Sequence, residues 1–355
     1  MERFHISFFG PVNSGKSTLV NALAGQEVSL VSPVPGTTTD PVRKAIEIPG
    51  LGPCVLIDTA GLEDSGELGP ERMRRTRAVL DETDVAVVVV PGAAEESPYP
   101  FLHASGIPVV RYTRGESIES LIERIASAIP ERKERWLTGS LVKAGDVVLL
   151  VMPQDSEAPK GRLILPQVQV IRELLDRGCT PLCCTPASLA GALERVKPDL
   201  VITDSQVFKA VNAAIPADLP LTSFSILLAG AKGDMKVFLE GARAIESLKP
   251  GCHVLIAEAC THVPDTEDIG RVKIPSLLKA KLHRPLHIDI AAGNDFPEDL
   301  SPYSLIIHCG ACVATSTLVH ARIRRAQAAG VHITNYGLAL AALQGILPRL
   351  SLPEL

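Results

Sequence analysis

The sequence predicts an α/β protein with three domains, each built on a mainly parallel sheet. Short apolar runs that are typical of buried strands alternate with helical patterns along almost the whole chain. Such alternation is typical of parallel sheets covered by helices. The 355 residues also suit two or three domains, at roughly 100–200 residues per domain. We expect these domains at residues 1–136, 137–221 and 222–355.

Composition and charge exclude several classes of protein. The chain has 35 basic and 40 acidic residues, and its net charge of −5 gives no electrostatic case for a nucleic-acid partner. Its longest apolar run, around Val85–Val90, is much shorter than the about 20 residues of a membrane helix. The N-terminal residues lack the features of a secretory signal. We therefore expect a cytoplasmic protein with no membrane partner, whose eight cysteines stay reduced.

The first domain opens with a strand, HISFFG, followed by a glycine-containing loop and the helix KSTLVNALAG. Strands CVLID and DVAVVVV come next, and the domain closes with IPVVRYT and the helix SIESLIERIASAI. The apolar residues of that last helix recur at the three- to four-residue spacing of an amphipathic helix. The charged stretch Pro130–Trp136 is then predicted to be a linker.

The second and third domains continue the alternation of strands and helices. In the second domain, strands VVLLVM, PLCC and DLVIT alternate with helices QVQVIRELLDRG, ASLAGALERV and SQVFKAVNAAI. The third contains helix DMKVFLEGARAIESL, strand HVLIAEAC, helix PSLLKAKL, strands LHIDIA and YSLIIHC, helix STLVHARIRRAQAAG, strand VHIT and helix GLALAALQGI. The second domain has no phosphate loop, so packing or self-association is its predicted role. Its polar segment Asp155–Lys160 is predicted to be a functional loop.

Residues 10–17, GPVNSGKS, match the phosphate-loop pattern G-x-x-x-x-G-K-[ST] between a strand and a helix. Glycines in this loop let backbone amides wrap a phosphate, the lysine adds a positive charge, and the serine hydroxyl coordinates Mg²⁺. The sequence therefore predicts a site for the phosphates of a nucleotide with Mg²⁺. The candidate contacts from this segment are Gly10, Asn13, Ser14, Gly15, Lys16, Ser17 and Thr18.

Two further segments fit a GTPase. Asp58-Thr59-Ala60-Gly61 closes the strand CVLID, where Asp58 is placed to hold Mg²⁺ through water and the Gly61 amide to reach the γ-phosphate. Thr38 lies in the polar segment Gly36–Asp40, which is either a switch segment that binds Mg²⁺ or a solvated loop. The candidate catalytic residues are therefore Lys16, Thr38 and Asp58.

These three segments resemble the translation-factor-like GTPases, especially the branch of tRNA-modifying and ribosome-assembly GTPases. The resemblance implies that Asn13 helps to bind a K⁺ ion. The chain departs from that family because it contains no N-K-x-D, the motif that reads guanine. Either Thr113–Glu116 is a degraded copy in which Glu116 holds guanine, or a whole strand–helix unit is missing. The short spacing to the last helix favours the missing unit, and leaves base specificity and GTP hydrolysis open.

A second constellation combines cysteine and histidine. Cys260-Thr261-His262 follows the strand HVLIAEA, and His308-Cys309-Gly310-Ala311-Cys312 follows YSLII and opens a helix. Neighbouring parallel strands would bring both segments to the carboxyl edge of one sheet. Three thiolates are one short of a four-cysteine cluster site, so His262, His308 or an exchangeable group would complete it. Structural zinc and a redox pair of thiols are the alternatives. Adjacent Cys183 and Cys184 would face opposite sides of a strand and are not predicted to bind metal.

The whole arrangement resembles the [FeFe]-hydrogenase maturation GTPases, and Met152–Asp176 is also similar to the middle domain of that family. The resemblance implies that the first domain hydrolyses GTP, the middle domain forms a homodimer, and Cys260, Cys309 and Cys312 hold a [4Fe–4S] cluster. It further implies a scaffold that receives a two-iron precursor from two radical-SAM maturases and passes it to apo-[FeFe]-hydrogenase. The alternatives are a GTPase switch of tRNA modification or ribosome assembly with structural zinc, and a non-hydrolysing nucleotide-binding cluster carrier.

Overall fold

The computed structural model describes residues 3–25, 41–61, 75–76, 78–90, 99–129, 136–154, 161–259 and 268–354. The chain divides into two compact units, Met1–Lys133 and Glu134–Leu355. The first unit, which we call the head, contains one mainly parallel sheet, and the second unit contains two parallel sheets. This architecture confirms the predicted α/β fold class.

The head is built around a five-stranded sheet in its described part, with the order β2-β3-β1-β4-β5. Its strands are β1 (Phe4–Phe9), β2 (Val42–Ile48), β3 (Gly52–Asp58), β4 (Val85–Val90) and β5 (Val109–Thr113). Its helices include α1 (Lys16–Ala24), α2 (Pro100–Ala104) and α3 (Ile118–Ala128). Among the described strands of the head, β2 alone runs antiparallel to its neighbour. One strand–helix unit, β5–α3, follows α2 in the described residues, as expected if a unit has been lost.

Burial explains why β4 is a continuous apolar run. All six of its residues are buried. Val85, Val87 and Val89 pack into the core on one face of the sheet, and Ala86, Val88 and Val90 pack into the core on the other. A strand covered on both faces needs no polar positions. The edge strand β2 instead alternates exposed and more buried residues, and the sequence analysis did not predict it.

In its described residues, the second unit contains two four-stranded parallel sheets, ordered β7-β6-β8-β9 and β11-β10-β12-β13. Its strands are β6 (Val147–Val151), β7 (Thr180–Cys184), β8 (Leu200–Thr203), β9 (Leu221–Ser223), β10 (His253–Glu258), β11 (His287–Ala292), β12 (Tyr303–His308) and β13 (His332–Asn335). Its helices are α4 (Leu165–Asp176), α5 (Leu189–Arg195), α6 (Phe208–Ala214), α7 (Phe224–Lys232), α8 (Met235–Ala244), α9 (Ile274–Leu282), α10 (Ser316–Ala328) and α11 (Tyr336–Leu343).

Helix α7 joins the two sheets of this unit. Its Phe224 and Leu227 pack into the core of the first of these sheets. Its Ile226 and Ala229 pack into a larger core that contains residues of both sheets, such as Val201 and Ile256. The two sheets therefore share apolar packing and form one compact unit. The expected boundary between residues 221 and 222 falls inside β9 and stays a prediction.

A search of the described residues finds no helix with both the length and the apolar character that crossing a membrane requires.

We expect Gly241→Ala, on α8, to lower the free energy of unfolding by about 1–3 kcal/mol because of overpacking. A Cβ at this position would lie 2.1 Å from the carbonyl oxygen of Ile333 on β13. The matched change Gly191→Ala, on α5, meets no atom within 4 Å and should stabilise by about 0.4–1 kcal/mol. Urea unfolding of the full chain measures both, and equal midpoints for the two variants would contradict the close packing of α8 on β13.

Candidate functional site

The phosphate loop connects β1 to α1, as the sequence predicts. Gly10 has φ +155°, and a Cβ there would lie 2.6 Å from the carbonyl oxygen of Val89, so the loop crosses β4 only with glycine at this position. Asn13 and Gly15 have φ values of 62° and 98°, which turn the chain into α1. Ser14 has a buried hydroxyl, whereas Asn13 and Thr18 are exposed.

Lys16 lies across this loop. Its Nζ donates to the carbonyl oxygens of Gly10 at 3.1 Å and Pro11 at 2.8 Å. Burial lowers the pKa of the ammonium to about 8, although the nearby Asp58 carboxylate raises it. The ammonium is therefore mostly charged at pH 7 and faces the loop that would hold a phosphate.

The structure brings Ser17, Asp58 and Gly61 to the same loop. The Ser17 hydroxyl donates to Asp58 Oδ2 at 2.6 Å, and the Thr59 hydroxyl donates to the Phe8 carbonyl oxygen at 2.6 Å. Gly61 lies against the loop, because a Cβ there would be 2.4 Å from Val12 Cγ2. A hydroxyl and a carboxylate side by side are oxygen ligands of the kind that Mg²⁺ prefers, so these residues fit the ion. Thr38, with the rest of Gly36–Asp40, lies outside the described residues.

The turn after β5 uses its polar groups internally. Glu116 Oε2 accepts from the Thr113 amide at 3.2 Å, and Oε1 accepts from Arg124 on α3. Ser117 caps α3 by accepting from the Ser120 amide at 3.3 Å. Both carboxylate oxygens of Glu116 are thus engaged with the chain itself. This favours the interpretation that the guanine-reading unit is missing over the one in which Glu116 holds guanine.

The described part of the predicted cysteine–histidine site lies at the carboxyl ends of β10 and β12. These strands are parallel neighbours, and Ala257 pairs with His308. Cys309, the residue after β12, donates its amide to the Ala257 carbonyl oxygen at 2.9 Å, and its Sγ accepts from the Ala259 amide at 3.1 Å. The structure therefore places the Cys309 sulfur beside the residue that precedes Cys260. Cys260 and His262 themselves lie outside the described residues.

Lys232, the last residue of α7, holds the turn that carries Cys312. Its Nζ donates to the carbonyl oxygens of Ala311 at 2.8 Å, Cys312 at 3.2 Å and Ala314 at 2.7 Å. Ala311 has φ 52°, a left-handed conformation that is strained for a residue with a side chain. The ammonium therefore stabilises a turn that would otherwise be costly.

His308 is buried and has both ring nitrogens engaged. Nδ1 lies 2.8 Å from the Cys309 carbonyl oxygen, and Nε2 lies 3.0 Å from Arg322 Nη1. Burial, together with the Arg322 guanidinium, lowers the pKa of the imidazole to about 3. The ring is therefore neutral, with Nδ1 donating and Nε2 accepting. This arrangement favours a supporting role for His308 over the role of a metal ligand.

The residues in place fit a sulfur-rich metal or cluster site. Cys309 and Cys312 are both partly exposed, and soft thiolate ligands are suited to iron–sulfur clusters and zinc. The hydrogen bond from the Ala259 amide to the Cys309 sulfur stabilises negative charge on that sulfur. Among the described residues, which leave out Cys260, no group of three or more histidine, cysteine, aspartate or glutamate residues is placed to hold a metal ion. On β7, Cys183 is exposed and Cys184 is partly buried.

Sequence reasoning missed Lys232 and Arg322. Helix α7 is apolar almost throughout, so no amphipathic pattern indicated the helix or a role for the lysine at its end. Arg322 is 2% exposed and lies among Val319, Ile323 and Ala326 on the buried face of α10. An arginine inside a helical apolar pattern was the signal that could have identified it.

Three family models match successive parts of the chain. Residues 5–109 match a 50S ribosome-binding GTPase, residues 137–233 the hydrogen maturase F dimerization domain, and residues 236–353 the hydrogen maturase F tetramerization domain. The first match makes the head a GTPase domain, which supports nucleotide binding. The names of the other two support self-association of the chain.

The curated relatives match the GTPase head. The tRNA modification GTPase MnmE of Methylobacterium sp. (strain 4-46) is 34% identical over 165 residues, which cover 42% of this chain and 36% of the relative. MnmE of Xanthomonas oryzae pv. oryzae (strain MAFF 311018) is 48% identical over 87 residues, which cover 24% of this chain and 19% of the relative. The chain thus spans little more than a third, or less, of the length of these relatives.

Among solved structures, a variant of Aquifex aeolicus Era bound to GDP·AlF4⁻ is similar with 17% identity and a TM-score of 0.29, covering 84% of this chain and 97% of that one. A variant of S. thermophilus NFeoB bound to GDP·AlF4⁻ has 17% identity and a TM-score of 0.25, covering 37% of this chain and 66% of that one.

The two hydrogen maturase F matches together span more than half of the chain and follow a GTPase domain. The chain therefore belongs to the hydrogen maturase F family.

Proposed function

We propose that this protein is a scaffold of [FeFe]-hydrogenase maturation that holds a [4Fe–4S] cluster and delivers a two-iron precursor to apo-[FeFe]-hydrogenase. The observation that carries the proposal is the pairing of Ala257 with His308, because it brings the Cys309 loop beside the chain that leads to Cys260. Two radical-SAM maturases supply the precursor in this proposal. Membership of the hydrogen maturase F family supports it.

Cys260, Cys309 and Cys312 would hold the cluster. When bound, a cluster with three cysteine ligands supplies one iron with an exchangeable fourth position. The Ala259 amide orients the Cys309 sulfur, and Lys232 fixes the turn of Cys312. His262 is the remaining histidine candidate for the fourth position.

The GTPase head is proposed to bind GTP or GDP with Mg²⁺ held near Ser17 and Asp58, and K⁺ near Asn13. Thr38 would join the Mg²⁺ site. The domain from residue 137 to 233 would form a homodimer, in keeping with the name of its family model. Nucleotide turnover would then modulate contacts with partner proteins in the cytoplasm, and would not drive chemistry at the cluster.

A second candidate function is a GTPase switch of tRNA modification with a structural zinc. The identity of the head to MnmE proteins favours it. The net charge of −5 counts against an RNA partner. Metal content separates the two candidates.

We expect Cys309→Ala to abolish cluster binding and hydrogenase activation, because one of three thiolates is lost. The matched control is Cys252→Ala: this thiol precedes β10 at the opposite end of the strand, so the change should leave the cluster intact. Protein reconstituted without oxygen should hold about four irons per chain and give a reduced-cluster electron paramagnetic resonance signal only with Cys309 present. One zinc per chain without a signal would overturn the proposal in favour of the zinc-containing switch.

We expect GDP and ADP to bind with affinities within about tenfold of each other, because the unit that reads guanine is missing. A site that hydrogen-bonds the polar groups of the base would discriminate by about 10⁴-fold. Both carboxylate oxygens of Glu116 are already engaged. Isothermal titration calorimetry with Mg²⁺ and K⁺ measures both affinities. A large preference for GDP that disappears in Glu116→Gln would show instead that Glu116 reads guanine.

We expect nucleotide affinity to fall by about tenfold between pH 7 and pH 9, as the Lys16 ammonium, with its pKa near 8, loses its proton. Phosphate favours the charged form, so binding raises this pKa and takes up a proton above pH 8. Calorimetry across this range measures the effect. Lys16→Met should bind weakly at every pH, and an equally steep pH dependence in that variant would assign the titration to another group.

A further inference from the structure

A buried arginine joins the strand ends that lead to the cysteine–histidine site. Arg322 is 2% exposed and projects from α10. Its Nη2 donates to the carbonyl oxygen of Gly293 after β11 at 2.7 Å, and its Nη1 reaches the ends of both β10 and β12. One guanidinium thus contacts the carboxyl ends of three neighbouring strands.

Two hydrogen-bonded routes run from Arg322 to Cys309. In the first, Nη1 donates to the carbonyl oxygen of Glu258 at 3.4 Å, and the amide of the same peptide, on Ala259, donates to Cys309 Sγ at 3.1 Å. In the second, Nη1 donates to His308 Nε2 at 3.0 Å, and His308 Nδ1 donates to the Cys309 carbonyl oxygen at 2.8 Å. Hydrogen bonds in such chains polarise and strengthen one another.

The guanidinium also holds a positive charge in the protein interior. Its central carbon lies 4.6 Å from the centroid of the Phe296 ring, so one face of the cation is covered by an aromatic group. An arginine side chain does not lose its proton in proteins. A permanent positive charge therefore lies behind the peptide that donates to the Cys309 sulfur.

We propose that Arg322 is a positioning residue that, through the Glu258–Ala259 peptide and through His308, orients Cys309 and stabilises negative charge on its sulfur. This inference rests on the proposed function, because that charge becomes important when Cys309 is a cluster ligand. Hydrogen bonds to ligand sulfurs and nearby charge both set the reduction potentials of iron–sulfur clusters. Arg322 therefore raises the potential at which a cluster on Cys309 accepts an electron.

The test is a redox titration of the full chain, reconstituted without oxygen and followed by electron paramagnetic resonance. In Arg322→Gln, the ratio of reduced to oxidised cluster at the midpoint of the unsubstituted protein should fall about tenfold, which is about 59 mV for one electron. The matched control is Arg325→Gln, one turn further along α10. Arg325 also lies over Phe296, at 4.9 Å, and donates to the Pro297 carbonyl oxygen, so this variant should keep the original midpoint.

An unchanged midpoint in Arg322→Gln at full iron content would overturn the proposal, and so would an equal shift in Arg325→Gln. If Arg322→Gln does not fold, Arg322→Lys replaces it: an ammonium keeps the charge but not the fork that reaches several acceptors. That variant should show a smaller fall in the same ratio, and no fall at all would overturn the proposal. An unsubstituted chain that binds no cluster would contradict the proposed function instead.

Discussion

Both candidate sites depend on two parallel strands that lie side by side and end at the same edge of a sheet. In the head, β1 leads into the phosphate loop and β3 ends at Asp58, and the pairing of Phe8 with Asp58 brings the carboxylate to Ser17. In the second unit, β10 and β12 do the same for the cysteine–histidine site. The carboxyl edge of a parallel sheet is where such folds place ligands, because loops from neighbouring strands converge there.

The carboxyl edge of the sheet that contains β10 and β12 carries buried polar side chains. Each buried polar side chain needs a hydrogen-bond or ionic partner. Glu258, the last residue of β10, is 1% exposed, and its two carboxylate oxygens accept from Arg271 at 3.1 and 2.8 Å. The Arg271 side chain is partly exposed, and removing it would leave the buried Glu258 carboxylate without its ionic partner. His308 and Arg322 meet the same requirement through hydrogen bonds. The edge is therefore held by electrostatic pairing, whereas the sheet behind it is held by apolar packing.

Local patterns in the sequence predicted most of the strands and helices and the phosphate loop. The spacing of the cysteines indicated the second candidate site. The strands beginning at Phe4 and His253 were identified because apolar runs bounded by loops need no tertiary context. Helix α7 was missed, because a helix buried by two sheets carries no polar face to give it a period. Lys232 and Arg322 were missed for a related reason, because their contacts are distant along the chain. Lys232 and Ala311, for example, are about 80 residues apart, and the spacing of residues within one element does not predict such pairs.

Helix α7 also connects the two sheets to the site. Phe224 and Leu227 fasten it to the core of the first sheet of the second unit, and Ile226 and Ala229 fasten it to the core shared with the other. Its last residue, Lys232, donates to three carbonyl oxygens of the turn around Cys312. The sheets cannot separate without breaking either this apolar packing or these hydrogen bonds. The conformation of the cysteine turn is thus a property of the whole second unit and not of its own sheet alone.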